Sequence, residues 1–264
     1  LEIMKRVQAR LAKAQNLSKE EMAERLDRYA RATVSWREHD RISLRYINKG
    51  PGKPPREIAN LTYRDRKTAT AVAKGIEATV RATSTPLDFG AIKQKGRAQA
   101  LRTTLQHLES TGEGGVVLQM DIQDFHPTIP HWALRDDQFG ARQWVFIQKM
   151  LKQYGRAKGG SDRGIPQGSP ISSLLASIAM ANLLKELRDD TGFSTVITYA
   201  DDITILDKDK ANAMTSFARI NTQLMKGGMS LHPEKLGYVE WVTGSTFELL
   251  GYTLTKEENG IQIS

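Results

Sequence analysis

The sequence has no cysteine and no long hydrophobic run. Without cysteine, its 264 residues can form neither a disulfide nor a cysteine-based zinc site, which fits a reducing compartment. No apolar run approaches the roughly twenty residues that a spanning helix needs, and no signal-peptide pattern opens the chain. We therefore expect a cytoplasmic protein with no membrane partner.

Acidic residues are outnumbered by basic ones. Lysine and arginine number 38 against 30 aspartates and glutamates, which gives a formal net charge of +8. Such an excess suits a polyanionic partner, although charge alone does not separate nucleic acid from an acidic protein or a membrane surface. A chain of this length can bury a sizeable core in one or two domains.

The segment Tyr199-Ala200-Asp201-Asp202 lies between two apolar runs, at residues 196–198 and 203–206. Alternating apolar residues around a short polar centre predict a β-hairpin that carries two adjacent carboxylates at its tip. Two such charges repel, and burying them costs several kcal/mol unless a cation compensates; hard carboxylate oxygens favour magnesium. An ordinary Asp-Asp turn is the alternative, so the neighbouring motifs decide the interpretation.

A further acid, Asp121, ends an apolar run at residues 115–121 that predicts a buried strand. Beside the hairpin tip, its carboxylate would complete a site for two metal ions about 3.5–4 Å apart. Such a pair activates a 3′-hydroxyl and stabilises the leaving pyrophosphate, which is the chemistry of nucleotidyl transfer. Asp124 lies three residues further on, and we assign it a mostly structural role because it does not emerge directly from the strand.

A loop rich in glycine and proline, Arg163 to Ser173, separates the two acidic segments. Gly168 allows the backbone to pass close to a ligand. Ser172 or Ser173 is expected to cap the helix that follows, which should continue to about Leu187. A helix N-terminus preceded by glycines suits an incoming nucleotide and its template base.

Together these segments resemble a reverse transcriptase of the prokaryotic type, related to group II intron, retron and abortive-infection enzymes. The motifs of that family are matched in order over about residues 50–252. They are motif A at residues 121–125, motif B at Pro166-Gln167-Gly168 and Ser172, motif C at 199–202, the motif D lysine at Lys235, and the motif E phrase at 247–252.

The resemblance implies an α+β, right-hand polymerase fold with helical fingers and an antiparallel-sheet palm. The predicted domains are a helical N-terminal extension at 1–47, fingers at 48–110, a palm at 111–252, and the start of a thumb connection or a tail at 253–264. Only twelve residues follow Tyr252, so the thumb is expected to be absent or truncated. Further domains or subunits would then have to supply its grip on the duplex.

The function that the resemblance implies is synthesis of DNA on an RNA template. The implied partners are an RNA template, a primer or nascent DNA, and nucleoside triphosphates. The implied cofactors are two Mg²⁺ ions, for which Mn²⁺ could substitute. Their expected ligands are Asp121, Ile122, Asp201 and Asp202.

Other residues receive roles around the substrates. Lys235 is a candidate proton donor to pyrophosphate. The expected contacts of the nascent base pair are Gln167, Gly168 and Ser172. Basic residues suit phosphates, and Arg56 and Arg64 are the expected contacts of the triphosphate or template in the fingers, with a solvated basic face as the alternative.

Two positions depart from the family pattern. His126 stands where reverse transcriptases usually have an aromatic residue that excludes a ribose 2′-hydroxyl, and imidazole can hydrogen-bond such a group. Ser177 stands where motif B often has asparagine. His126 therefore leaves the choice between deoxy- and ribonucleotides open.

Two other functions compete with reverse transcription. An RNA-dependent RNA polymerase would share the palm, but such enzymes more often have glycine before the two aspartates. A non-catalytic nucleic-acid-binding module is the second alternative, and three intact aspartates argue against it. Residues 124–134 resemble abortive-infection enzymes slightly more than intron enzymes, which favours a role in antiviral defence against phage.

Overall fold

The computed structural model describes residues 42–48, 50, 52, 55–92, 95–190 and 192–264. The helices predicted for the N-terminal extension lie outside these residues, apart from the last positions of that segment. There the prediction is wrong, because residues 43–47 form a strand and not a helix. This strand is stabilised by backbone pairing with a second strand at residues 56–60. Local sequence does not reveal that contact.

Ten strands and six α-helices lie within the described residues, joined by short 3₁₀ turns. In chain order they are β1 (Ser43–Ile47), β2 (Arg56–Asn60), α1 (Tyr63–Thr83), β3 (Asp88–Phe89), α2 (Arg97–Thr111), β4 (Gly115–Asp121), α3 (Phe125–Thr128), α4 (Ala141–Ala157), α5 (Ser172–Arg188), β5 (Thr195–Tyr199), β6 (Asp202–Asp207), α6 (Lys210–Lys226), β7 (Gly237–Trp241), β8 (Thr246–Leu249), β9 (Tyr252–Glu257) and β10 (Gly260–Ile263).

The chain forms two compact units. The first contains the described residues up to Thr79 together with residues 135–172, and the second contains residues 80–134 and 173–264. The predicted extension, fingers, palm and tail were assigned by their expected roles, whereas the two units are defined by their compactness. The bounds of the four predicted domains therefore stay predictions. No helix that the structure describes is long and apolar enough to cross a membrane.

The first unit is built on the antiparallel hairpin of β1 and β2 and on helix α4. The phenol of Tyr154, fully buried on α4, donates a hydrogen bond to Glu57 of β2, and Lys158 lies 3.5 Å from the same carboxylate. Burial and the neighbouring Glu57 charge raise the pKa of Tyr154, so its proton stays available for this bond. The contact therefore fixes the hairpin against the helix.

The second unit is organised by a five-stranded sheet with the order β3-β5-β6-β4-β7. All neighbours in this sheet are antiparallel except β3 and β5. Strand β4, which lies between β6 and β7, is buried along nearly its whole length, which explains its continuous apolar sequence. Helices α2 and α6 contact the sheet, and a separate sheet has the order β10-β9-β8.

The core of the second unit joins helix α2 to the two sheets. Trp241 at the end of β7 is fully buried and meets Phe247 of β8 edge to face, with ring centroids 5.5 Å apart. Such aromatic pairs contribute about 0.5–1.5 kcal/mol beyond the area that they bury. The remaining buried residues of the cluster are Phe89, Ala100, Leu101, Leu108, Val117, Ile197, Leu206, Leu249 and Leu254. This packing holds helix α2 and strands β8 and β9 against the five-stranded sheet.

Several predicted elements are present with nearly the predicted bounds. Helix α5, predicted to continue to about Leu187, runs from Ser172 to Arg188. Helix α6 begins after Asp209, whose side chain accepts a hydrogen bond from the Asn212 amide. The serine cap that was predicted for helix α5 is not found among the described residues. The Ser172 hydroxyl donates to the Pro166 carbonyl, 2.5 Å away, because Ser172 is the first residue of the helix and faces back into the loop.

Candidate active site

Three acidic residues lie where strand β4 ends and strand β6 begins. Asp121, the last residue of β4, lies directly opposite Asp202, the first residue of β6. Asp201 immediately precedes it, and its carbonyl accepts a hydrogen bond from the Ile122 amide at 3.0 Å. The structure therefore brings Asp121, Asp201 and Asp202 to one edge of the sheet, which is the arrangement that the two sequence motifs required.

The tip of the β5–β6 hairpin is a two-residue turn of Ala200 and Asp201, because Tyr199 pairs with Asp202. Ala200 has a φ of 54°, in the left-handed region that a side chain with Cβ rarely enters. Holding it there costs on the order of 1–2 kcal/mol. Backbone strain of this kind often marks functional positions, and here it lies next to Asp201.

The negative charges of the three aspartates also disfavour one another. Burial, together with the negative charges of Asp201 and Asp121, raises the pKa of Asp202 to about 6, while Lys235 acts in the opposite direction. The site therefore holds more negative charge than it neutralises. A bound cation would relieve this excess.

Lys235 reaches the cluster from the 3₁₀ turn Pro233–Lys235. Its Nζ lies 2.6 Å from Asp121 Oδ2. This hydrogen bond raises the pKa of Lys235, and the charges of Asp121, Asp201 and Asp202 act in the same direction. The family resemblance implied that Lys235 is a proton donor, but nothing in the sequence indicated that it would pair with Asp121, a candidate metal ligand.

The chemistry of the donor set fits a hard divalent cation, since three acidic residues lie at neighbouring backbone positions and one of them has a raised pKa. Ile122 has a buried apolar side chain and could contribute only its backbone carbonyl. Across the part of the chain that the structure describes, no three or more His, Cys, Asp or Glu side chains are already grouped to hold a metal ion. The Asp121 carboxylate faces the Lys235 ammonium instead.

His126 lies on a small cavity in the same unit. The cavity has a volume of about 50 Å³, and the aromatic residues that line it include Phe89, Phe125 and His126. The rings of Phe125 and His126 meet edge to face at 5.2 Å. Ser177 lines this cavity as well, so the two positions that depart from the family pattern lie on one surface. Ala200, at the hairpin tip, is a further lining residue.

The remaining predicted site residues belong to the first unit, and the structure groups several of them there. The Ala59 amide of β2 donates a hydrogen bond to the Gln167 carbonyl at 2.8 Å. Gly168 has a φ of 97°, and a Cβ built there would lie 3.0 Å from Ile58. The loop therefore needs glycine at this position to lie against β2. Ser172 is buried in the same loop, Arg56 begins β2, and Arg64 lies in the first turn of α1.

A buried ion pair beside the cavity was missed by the sequence analysis. Asp88 accepts hydrogen bonds from Arg188 at 2.9 and 2.6 Å and from the Thr198 hydroxyl at 2.7 Å. These contacts tie β3 to β5 and to the end of helix α5. The available signal was a charged residue inside the apolar Leu87-Asp88-Phe89 segment, since such a charge needs a partner when buried.

Comparison with solved structures shows the fold of the chain. A telomerase from Candida tropicalis, truncated from its C-terminal domain, superposes with a TM-score of 0.60 at 13% identity, over 87% of this chain and 56% of that one. A chain described as an RdRp complex matches with a TM-score of 0.54 at 9% identity, over 86% of this chain and 22% of that one. The α+β, right-hand polymerase fold is thereby confirmed.

The family follows from the sequence match. A model described as reverse transcriptase (RNA-dependent DNA polymerase) matches residues 47–254, and the chain belongs to that family. A curated relative is the retrovirus-related Pol polyprotein from type-1 retrotransposable element R2 of Nasonia vitripennis. It is 32% identical over 79 residues, which are 28% of this chain and 8% of the relative. The chain thus spans only a small part of that polyprotein.

Proposed function

We propose that this chain is a reverse transcriptase that synthesises DNA on an RNA template with two Mg²⁺ ions. The observation that carries the proposal is the register of β4 and β6, which sets Asp121 opposite Asp202 with Asp201 beside them. Acids separated by about eighty positions meet at one strained hairpin tip inside a reverse transcriptase fold. A fold that needed only a stable hairpin would gain nothing from this repulsion.

The proposed ligands of the two ions are Asp121, Asp201, Asp202 and the carbonyl of Ile122. When bound, the metal ions would supply activation of the 3′-hydroxyl and stabilisation of the charge that develops on pyrophosphate. Mn²⁺ would serve in place of Mg²⁺ because the ligands are oxygens. The Lys235 ammonium lies within reach of the cluster and is the proposed proton donor to pyrophosphate.

Each unit is proposed to supply substrate contacts of its own. In the first unit, the exposed Arg56 and the partly buried Arg64 would contact phosphates, and Gln167, Gly168 and Ser172 would position the nascent base pair. In the second, His126 would lie against the sugar of the incoming nucleotide. The proposed template is RNA, and the enzyme is proposed to be cytoplasmic and of the prokaryotic type. The resemblance of residues 124–134 to abortive-infection enzymes supports a role in phage defence.

RNA synthesis is the second candidate function, and one observation favours it. His126 and Ser177, the two departures from the reverse transcriptase pattern, line the same cavity in place of an aromatic ring and an asparagine. A cavity with a hydrogen-bonding wall would tolerate a 2′-hydroxyl better than an apolar one. The two candidates differ only in which nucleotide is incorporated.

Primer extension on matched RNA and DNA templates tests the proposal. Deoxy- and ribonucleotides are offered separately to the 264-residue chain, with Asp201→Asn as the control. The proposal expects deoxynucleotide extension on RNA, and a rate lower by several orders of magnitude for Asp201→Asn, since that change removes a metal ligand and preserves its shape. Preference for ribonucleotides would establish the second candidate. No extension under any condition, with intact binding of primer–template, would establish a non-catalytic module.

A further inference from the structure

Lys235 and Asp121 form an ion pair inside the cluster of carboxylates. The Asp121 side chain is only 12% exposed, whereas that of Lys235 is 54% exposed. The bond of 2.6 Å therefore joins a fixed, mostly buried acid to the end of a side chain that remains largely in solvent. This asymmetry makes Lys235 the partner that can move.

The backbone around Lys235 is held next to the end of β4. The His232 amide donates to the Asp121 carbonyl at 2.8 Å, and the Gln123 amide donates to the Ser230 carbonyl at 2.9 Å. The Lys235 amide donates to the His232 carbonyl at 3.1 Å, which closes the turn that presents the lysine. The backbone position of Lys235 is thus fixed by the fold, and its long side chain carries the ammonium to Asp121.

The charges explain what this placement does. Asp121, Asp201 and Asp202 all act on Lys235, and a single ammonium faces three carboxylates. We propose that Lys235 is a built-in counter-cation, which occupies Asp121 in the metal-free protein and competes with the divalent cation for that carboxylate. The inference rests on the proposed function in one respect, namely that Asp121 is a metal ligand.

Competition follows from elementary electrostatics. A divalent ion that binds Asp121 Oδ2 would lie close to an ammonium that binds the same oxygen, and two cations at that separation repel strongly at low dielectric. The long, flexible stem of lysine allows the ammonium to swing aside. Lysine would therefore stabilise the metal-free site, lower its affinity for metal, and remain beside the site after it is displaced.

Direct metal binding tests the inference without relying on activity. Free Mn²⁺ is measured by electron paramagnetic resonance during titration of the full chain, without nucleic acid, for the wild type and for Lys235→Met. Lys226→Met is the matched control, since it removes the same charge from the exposed end of α6. Lys235→Met is expected to bind Mn²⁺ about three- to tenfold more tightly, the scale of one partly buried charged hydrogen bond. Lys235→Arg and Lys226→Met are expected to stay close to the wild type.

The outcomes separate this inference from the proposed function. If Asp201→Asn abolishes Mn²⁺ binding but Lys235→Met does not strengthen it, the metal site stands and the counter-cation is refuted. If no variant binds Mn²⁺, the metal site itself fails. Thermal unfolding in EDTA then still decides the role of Lys235: Lys235→Met should lower the melting temperature, and Asp121→Asn in the same chain should restore it. A melting temperature unaffected by Lys235→Met would refute that role.

Discussion

Asp88 and Arg188 form a bidentate ion pair across one hundred positions of sequence, with side chains only 6% and 11% exposed. The pair ties the short parallel strand β3 to the last turn of helix α5, and the Thr198 hydroxyl joins it from β5. Asp88 also lines the cavity that holds His126. A structural ion pair thus fixes one wall of the cavity in which the proposed sugar contact lies.

Removing one partner of this pair should be costly. Arg188→Met leaves the Asp88 carboxylate buried without its cation, and we expect the free energy of unfolding to fall by about 3–5 kcal/mol. The matched control is Arg219→Met, because Arg219 pairs with Asp190 at a similar distance of 2.7 Å but with both side chains about 40% exposed. That change should cost only about 0–1 kcal/mol. Urea denaturation of the wild type and the two variants measures both losses in the free energy of unfolding. Equal losses would show that burial does not make the Asp88–Arg188 pair more stabilising than the exposed one.

Asp202 should make stability depend on pH in the metal-free protein. Its pKa is raised from 3.8 to about 6, so folding takes up a proton between these values. The destabilising effect is absent below about pH 4, grows as pH rises, and is complete above the folded-state pKa. Asp202→Asn should therefore stabilise the protein by about 1–2 kcal/mol at pH 8, after allowance for solvent screening of a partly exposed group.

The measurement is urea denaturation in EDTA from pH 4 to pH 8. The stabilisation by Asp202→Asn should shrink steadily as pH falls and vanish near the bottom of the range. Asp162→Asn is the control, since the Asp162 side chain is 96% exposed and should give no pH-dependent difference. A stabilisation that is constant over the whole range would mean that Asp202 carries no raised pKa.

Affinity for a primer–template should fall steeply with salt. Cationic side chains that contact phosphates release counterions, and between about 50 and 200 mM salt we expect the dissociation constant to rise by about tenfold or more. Arg56→Ala should lower the slope of this dependence by about one and weaken binding equally for all sequences. Fluorescence anisotropy over the salt series measures the slope. A flat response would remove the case for backbone contact and favour a protein partner.

Local sequence was sufficient for the elements that carry the candidate site. Neighbours within a few positions determine the apolar run of β4, the alternation around Asp201 and Asp202, and the end of helix α5 near Leu187. Contacts between distant residues were not accessible in this way. The pairing of Lys235 with Asp121 spans 114 positions, and no spacing rule links a turn lysine to a strand-end acid.

The same reasoning explains the smaller errors. Residues 43–47 were expected to be helical, but pairing with β2 overrides their local preference. Ser172 was expected to cap a helix, but the helix begins at Ser172 itself, and its hydroxyl turns back to Pro166. In the first case a contact between two strands overrides the local signal, and in the second a bond within the loop replaces the cap. The positive φ of Ala200 has no sequence signal either, because alanine carries no preference for that conformation.

The cavity sharpens the prediction for His126. The His126 side chain is half-buried and lines a space shared with Phe89, Ser177 and Ala200, so a change in its volume alters the cavity and not only the stability of the unit. Imidazole is smaller than phenyl and can hydrogen-bond a 2′-hydroxyl. His126→Phe should therefore improve selectivity for deoxynucleotides, and His126→Ala should relax it, each by about 1–3 kcal/mol, or roughly 10–200-fold.

Single-nucleotide incorporation kinetics with deoxy- and ribonucleotides decides the matter. The informative quantity is the ratio of kcat/KM for the two sugars, because a general loss of stability or rate cancels in it. His107→Phe is the control, since His107 lies on α2 outside the cavity lining. If His126→Phe and His126→Ala lower the overall rate but leave the ratio at the wild-type value, His126 packs within the unit and never meets the sugar. A ratio that moves in opposite directions for the two variants places the imidazole against the 2′ position.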